Sequence, residues 1–166
     1  MKSEDCNAKL SQRECYATLS QREFAAAHRV YLGLGSNLGD RRHHLDTAVR
    51  LVGERVGTVV RQSSYVETAP WGFQSDHPFL NAVILCQTAL TPRQVLRLTQ
   101  QIERDMGRQK PVNSPRAGRT YADRPIDIDI LLYDDLTVDE PDLQIPHPLM
   151  TRRDFVMIPL REITST

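Results

Sequence analysis

Ile126-Asp127-Ile128-Asp129-Ile130-Leu131-Leu132, running on into Tyr133, is the stretch on which the reading of the fold turns. Apolar and acidic residues alternate with the two-residue period of a strand. Ile126, Ile128, Ile130 and Leu132 are therefore expected to face packed helices, with Asp127 and Asp129 together on the opposite face. Carboxylates two apart on one strand sit about 7 Å from each other, close enough to converge on one or two hard cations. Two solvated charges on an open sheet face explain the same run equally well.

Upstream, Gly107 to Arg124 has no periodicity and carries Arg108, Lys110, Arg116, Arg119 and Arg124, a long basic loop set just before the acid pair. Cationic donors next to metal-holding carboxylates are the mixture that phosphoryl transfer needs. Before the loop, Thr91-Pro92 predicts a helix start, with Thr91 as cap and Pro92 at the first position. The helix stripe is Val95, Leu98, Ile102 and Met106. Phe79 to Thr88 and Thr58 to Val66 read as strands, separated by a loop from Thr68 to Pro78 that holds Trp71. Leu45, Ala48, Val49, Val52 and Val56 make an earlier helix that stops at Gly57. Val30 to Leu34 is a strand running into the turn Gly35-Ser36-Asn37-Leu38-Gly39-Asp40.

The order is β-α-β-β-α-β. It predicts an α+β fold, a ferredoxin-like sandwich whose mainly antiparallel sheet carries helices on one face and leaves the other open for a ligand. Residues 29–166 form the single domain, and residues 1–28 are a polar amino-terminal extension. The extension holds two Ser-x-x-Glu copies, at Leu10 to Glu14 and Leu19 to Glu23, that suit short capped helices.

Phe79 and Asn81 share a strand face, a stacking ring beside an amide that can both donate and accept, which suits a flat heterocycle. Gly33-x-Gly35 lacks the spacing of a dinucleotide fingerprint, and no Gly-Lys-Ser/Thr follows it. His147, between Pro146 and Pro148, is a rigidly presented imidazole and a candidate phosphate donor.

Lys and Arg total 21 against 21 Asp and Glu, so no global field draws the chain to nucleic acid or to a membrane. Three cysteines without CxxC spacing fit a reducing cytoplasm rather than a disulfide framework or zinc ribbon. A cytoplasmic monomer is expected.

Gly35-Ser36-Asn37-Leu38, Tyr65 to Gly72, Phe79-Leu80-Asn81, Arg124 to Asp129 and Pro146 to Leu160, in that order, resemble the 6-hydroxymethyl-7,8-dihydropterin pyrophosphokinases of folate biosynthesis. The resemblance runs from about Val30 to Ile163. It implies a ferredoxin-like fold and transfer of the diphosphate of ATP to the pterin hydroxymethyl group, with AMP as the other product and two magnesium ions assisting. By resemblance, Asp127 and Asp129 hold the metal, and Arg108 and Arg124 assist transfer. Thr68, Ala69, Trp71, Phe79, Asn81 and Phe155 bind the pterin, while Gln100, Glu103, Lys110, Ile130, His147 and Arg153 hold the nucleotide. Where the family usually has Gly-Pro before the second arginine, this chain has Ala122-Asp123, and Tyr121 stands in for the loop tryptophan. A catalytically silent ligand-sensing module and a metal-dependent phosphohydrolase are the rival readings of the residues alone.

Overall fold

The computed structural model describes residues 27–109 and 122–165. The expected short helices of the extension, together with Lys110, Arg116, Arg119 and Tyr121, lie outside the described residues. Strand β1 (His28–Ser36) starts on the last residue assigned to the extension and is followed by helix α1 (Arg41–Arg55). Asp40 caps α1 by accepting the His43 N–H at 3.0 Å. The expected strand over Thr58 to Val66 is two strands, β2 (Thr58–Gln62) and β3 (Val66–Thr68), both paired with β4 (Phe79–Thr88). The break falls at Ser63, whose hydroxyl accepts the Val83 N–H and whose own N–H bonds the Val83 carbonyl.

Helix α2 (Pro92–Asp105) begins on a reciprocal capping box between Thr91 and Gln94, with Pro92 at its start as expected. Strand β5 (Asp127–Tyr133) follows the basic loop. A small hairpin, β6 (Val138–Glu140) and β7 (Leu143–Ile145), leads to a short 3-10 turn and helix α3 (Asp154–Thr164). The main sheet has the order β2-β4-β1-β5, with β3 also on β4, and each of these pairings is antiparallel. This is the expected ferredoxin-like arrangement, with β1 hydrogen-bonded on both edges.

Helices α1 and α2 share one sheet face. Val30, Leu32 and Leu34 from β1, Ile84 and Cys86 from β4, and Ile126, Ile128 and Ile130 pack there against Leu45, Ala48, Val52, Val95 and Ile102. The second face is not wholly open. Tyr31, Val83, Leu85 and Leu131 are covered by Met150 and by Val156, Leu160 and Ile163 of α3, a second core over one end of the sheet.

Leu132 corrects the strict alternation expected of β5. Tyr31 pairs with Leu132 while the next residue, Leu32, pairs with Ile130, so Leu131 is an extra residue in a bulge. Leu131 and Leu132 consequently both join the second core, and Tyr133 returns to the first. In α2 the fully buried positions are Val95, Thr99, Ile102 and Glu103, with Leu98 and Met106 only half-buried at the core's edge.

Two glycines at the end of α1 separate steric from conformational effects. A Cβ on Gly57 would lie 2.1 Å from the Gln87 carbonyl oxygen, whereas one on Gly53 meets nothing within 4 Å. Urea unfolding should therefore show Gly57→Ala destabilised by about 1–3 kcal/mol or more, through forced backbone displacement. Gly53→Ala, inside a helix with free space around it, should gain about 0.5–1 kcal/mol. Equal midpoints for the two variants would contradict the packing of the α1 end on β4.

Candidate active site

The uncovered end of the second face is a pocket whose floor is the middle of the sheet. On β1, Gly35 lies between Asn81 of β4 and Asp127 of β5, and Gly33 lies between Val83 and Asp129. Alternation puts these residues on one face, and the two glycines contribute no side chain to it. A Cβ on Gly35 would come to 3.0 Å from Asn81 Oδ1 and 3.5 Å from the Phe79 ring, so a side chain here would crowd the neighbours that border the open floor. The pocket is lined by an aromatic and neutral group, Thr68, Ala69, Trp71, Phe73, Phe79, Asn81 and Phe155, and by a charged group, Arg124, Asp127, Asp129 and Arg153, with both arginines at the boundary between the two.

The aromatic side is held from several elements. The Asn81 amide nitrogen donates to Thr68 Oγ1 at 2.9 Å and to the Val66 carbonyl at 3.3 Å, which fixes the plane of the amide and ties β3 to β4. Phe73 meets Phe79 edge to face, with 6.1 Å between ring centroids and 85° between planes. The Arg153 guanidinium lies 4.5 Å from the Trp71 ring centroid and 5.7 Å from that of Phe155.

The acid pair is surrounded by cations. Arg108 donates to Asp127 at 2.6 Å and to Glu103 at 2.5 Å, and Arg124 reaches the other Asp127 oxygen at 3.1 Å. Asp129 has His147 Nε2 and an Arg153 nitrogen each at 4.0 Å. His147 Nδ1 accepts the Leu149 N–H, so Nε2 carries the proton and is the nitrogen turned toward Asp129. Asp129 keeps 40% of its side-chain surface open at the pocket mouth but is walled by protein elsewhere. That burial first, and the Asp127 charge second, push its pKa well above the usual carboxylate range, against the pull of Arg153 and Arg108. Burial opposes the Arg108 charge, yet Asp127 and Glu103 outweigh it and hold its pKa up.

The six residues expected to bind a pterin thus come together, with Asp127, Asp129, Arg124 and Arg153 on the same pocket. Arg108 and His147 reach its acid pair directly. Glu103 and Ile130 sit elsewhere. Glu103 is buried on α2 and accepts the Ile128 N–H at 2.7 Å, closing the outer edge of β5, while the Ile130 side chain belongs to the first core. Gln100 lies on α2, half-buried, outside the pocket lining. Phe73 and Asn37 were not singled out from sequence. The signal available for Phe73 was an aromatic two residues beyond Trp71 in the same loop. For Asn37 it was only a place in a Ser-Asn turn.

A family model described as 7,8-dihydro-6-hydroxymethylpterin-pyrophosphokinase matches residues 31–165. A 2-amino-4-hydroxy-6-hydroxymethyldihydropteridine pyrophosphokinase of Porphyromonas gingivalis is 50% identical over 135 residues, covering 81% of this chain and 89% of that protein. The protein of the same name from Bacillus subtilis is 40% identical over 81% of this chain and 77% of its own length. A solved Plasmodium falciparum chain titled HPPK-DHPS superposes with a TM-score of 0.64 at 16% identity, over 82% of this chain and 40% of that longer one, and so shares the fold. The family-model match over residues 31–165 and relatives at 40–50% identity show that the chain, with its arginine-ringed acid pair on one sheet face, belongs to the family of 7,8-dihydro-6-hydroxymethylpterin pyrophosphokinases, the ATP-dependent diphosphokinases of folate biosynthesis.

Proposed function

We propose that the pocket binds hydroxymethyl dihydropterin on its aromatic side and the phosphates of ATP on its charged side, and that the diphosphate passes between them over Gly33 and Gly35. The observation that carries this reading is the opening of Asp127 and Asp129 onto the same hollow as Phe79, Asn81 and Phe155. Phe79 and Phe155 offer ring faces, and Asn81, with its amide plane held by Thr68, presents its oxygen to the heterocycle's edge. Trp71 and Ala69 close the rim.

In the transfer the pterin hydroxyl oxygen attacks the β-phosphorus of ATP and releases its proton to solvent. The bond from that phosphorus to the α-phosphate oxygen breaks, and AMP leaves with the electron pair. Arg108 and Arg124 neutralise the charge on the moving oxygens, with planar forks suited to bidentate phosphate contact. His147 and Arg153 donate to the nucleotide's phosphates. We keep Gln100, Glu103 and Ile130 as nucleotide-binding residues, Ile130 through its backbone because its side chain is spent in the core; the nucleotide role of Lys110 rests on the resemblance alone.

The acid pair also fits magnesium. Its donors are hard oxygens, and Asp129 is held up in pKa first by burial and then by the Asp127 charge, both of which a bound cation would offset. Among the described residues no group of three or more His, Cys, Asp or Glu could hold a metal alone. An ion held by two carboxylates would take its remaining ligands from water and substrate phosphates. We assign two ions to Asp127 and Asp129, whose carboxylates would hold them; bound there, they would supply positive charge to neutralise the transferred group. We read the enzyme as a monomer. No described helix is long and apolar enough to cross a membrane. From its three cysteines without CxxC spacing we place the enzyme in the cytoplasm.

Given ATP, magnesium and the hydroxymethyl dihydropterin, the protein should release AMP and a pterin diphosphate in equal amounts. ADP or inorganic phosphate as the main product would remove this reading. Asp127→Asn and Asp129→Asn should each lower kcat by about 10²-fold or more, the several kcal/mol expected of a lost metal contact. Both should weaken magnesium binding in calorimetry with ATP analogue present. For Gly35→Ala the methyl group intrudes on the pterin floor, so KM for the pterin should rise about tenfold. KM for ATP should stay near its original value, and an equal rise in both constants would argue against a pterin placed over Gly35.

A further inference from the structure

The loop between β3 and β4 and the segment entering β5 are far apart in sequence, yet they meet beside the pocket. Asn37, only 2% exposed, sits at their junction. Its side-chain oxygen accepts the Arg124 N–H at 2.7 Å, and its own backbone N–H donates to the Arg124 carbonyl at 3.2 Å. Its amide nitrogen donates to Asp123 Oδ1 at 2.7 Å and to the His77 carbonyl at 3.3 Å. The second Asp123 oxygen lies 2.8 Å from His77 Nδ1, and the Ser75 hydroxyl accepts the His77 N–H at 3.1 Å. A hydrogen bond from Ser75, with others from His77 and Asn37, holds the Asp123 carboxyl below its ordinary range.

This arrangement has a consequence for the neighbouring arginine. Asp123 is the residue next to Arg124 and would be a natural partner for its guanidinium. Both Asp123 oxygens are instead drawn toward Asn37 and His77. The Arg124 backbone is pinned on both the N–H and the carbonyl by Asn37, and its guanidinium donates to the Ala122 carbonyl at 3.2 Å rather than to Asp123. The guanidinium lies 5.4 Å from the Phe79 ring centroid and 3.1 Å from Asp127, at the boundary between the aromatic and charged sides.

We propose that Asp123 and His77 form a clasp, seated on Asn37, that joins the Trp71-bearing loop to the start of β5 and so aims Arg124 into the site. Asp123 and His77 are positioning residues. The clasp rests on the role given above to Arg124. It makes the placement of the arginine depend on the loop that borders the pterin side, so that the two halves of the pocket are set together. His77 and Asp123 keep 60% and 29% of their side-chain surfaces exposed, so replacing either leaves both cores intact.

The test uses the full chain with Asp123→Ala, His77→Ala, the double variant, the conservative His77→Gln, and Arg124→Ala with and without Asp123→Ala. Each single clasp variant should lower kcat about tenfold while changing KM for ATP less than twofold. The double variant should lose no more than the worse single, because the two residues act as one unit. His77→Gln should recover most of the rate. On an Arg124→Ala background, Asp123→Ala should cost nothing further.

Trp71, the only tryptophan of the chain, reads the clasp independently of catalysis. Its acrylamide quenching should rise about twofold in each clasp variant. Unchanged quenching overturns the clasp whatever the rates do. Raised quenching with kcat intact, while Arg124→Ala itself is slow, overturns the positioning role. An Arg124→Ala enzyme as fast as the original refutes the arginine's assignment and the positioning role with it, leaving the quenching result to judge the loop contact alone.

Discussion

The alternation of side chains on the central strand governs this molecule. Strand β1 is hydrogen-bonded along both edges, so it cannot move without disrupting the sheet. On its second face it presents Tyr31, then Gly33 and Gly35. Where the tyrosine stands, Val83, Leu85 and Leu131 gather around it and α3 closes over them as a second core. Where the glycines stand, nothing rises from the middle of the sheet, and side chains from the flanking strands are left to surround an empty floor. One strand thus builds a core at one end and a substrate pocket at the other.

Charge is arranged around that floor with near balance. Asp127 and Asp129 project from the same strand into a partly enclosed space, where two bare carboxylates repel strongly. Arg108 and Arg124 close on Asp127, while His147 and Arg153 stand farther off, near Asp129. A cation at the pair would compete with these arginines for the same oxygens. The arginines lie where phosphate oxygens would offer them replacement partners. Confinement strengthens each of these exchanges, because field lines through protein are screened less than through bulk water. The buried Glu103 stabilises the arrangement from behind, satisfying both the free edge of β5 and one end of Arg108.

Much of this was legible in the chain. Periodicity alone separates the strands from α1 and α2, and Thr91-Pro92 marks the start of α2 because a capping hydroxyl and a missing N–H have local consequences. The facing of Asp127 and Asp129 follows from alternation in the same way. Leu132 did not, because a bulge is set by how β5 meets β1 rather than by its own residues. The interruption at Ser63 is similar, as a serine becomes a strand break only when it can bond a neighbouring strand. Glu103 reads as a helix-surface acid until the N–H of Ile128 arrives beside it.

By itself the sequence determined the periods, the caps, the acid pair on one strand face and the glycines that leave β1 bare, since each depends on backbone geometry within a few residues. The family, too, was legible from spaced motifs. Only the tertiary structure decided that α3 would cover half of the second face, that Phe73 would join the pocket, and that Asn37 would bind both Asp123 and Arg124. Those outcomes depend on which distant groups are brought within hydrogen-bonding or van der Waals range, and contacts across 40 to 90 residues of chain leave no period in the sequence to read.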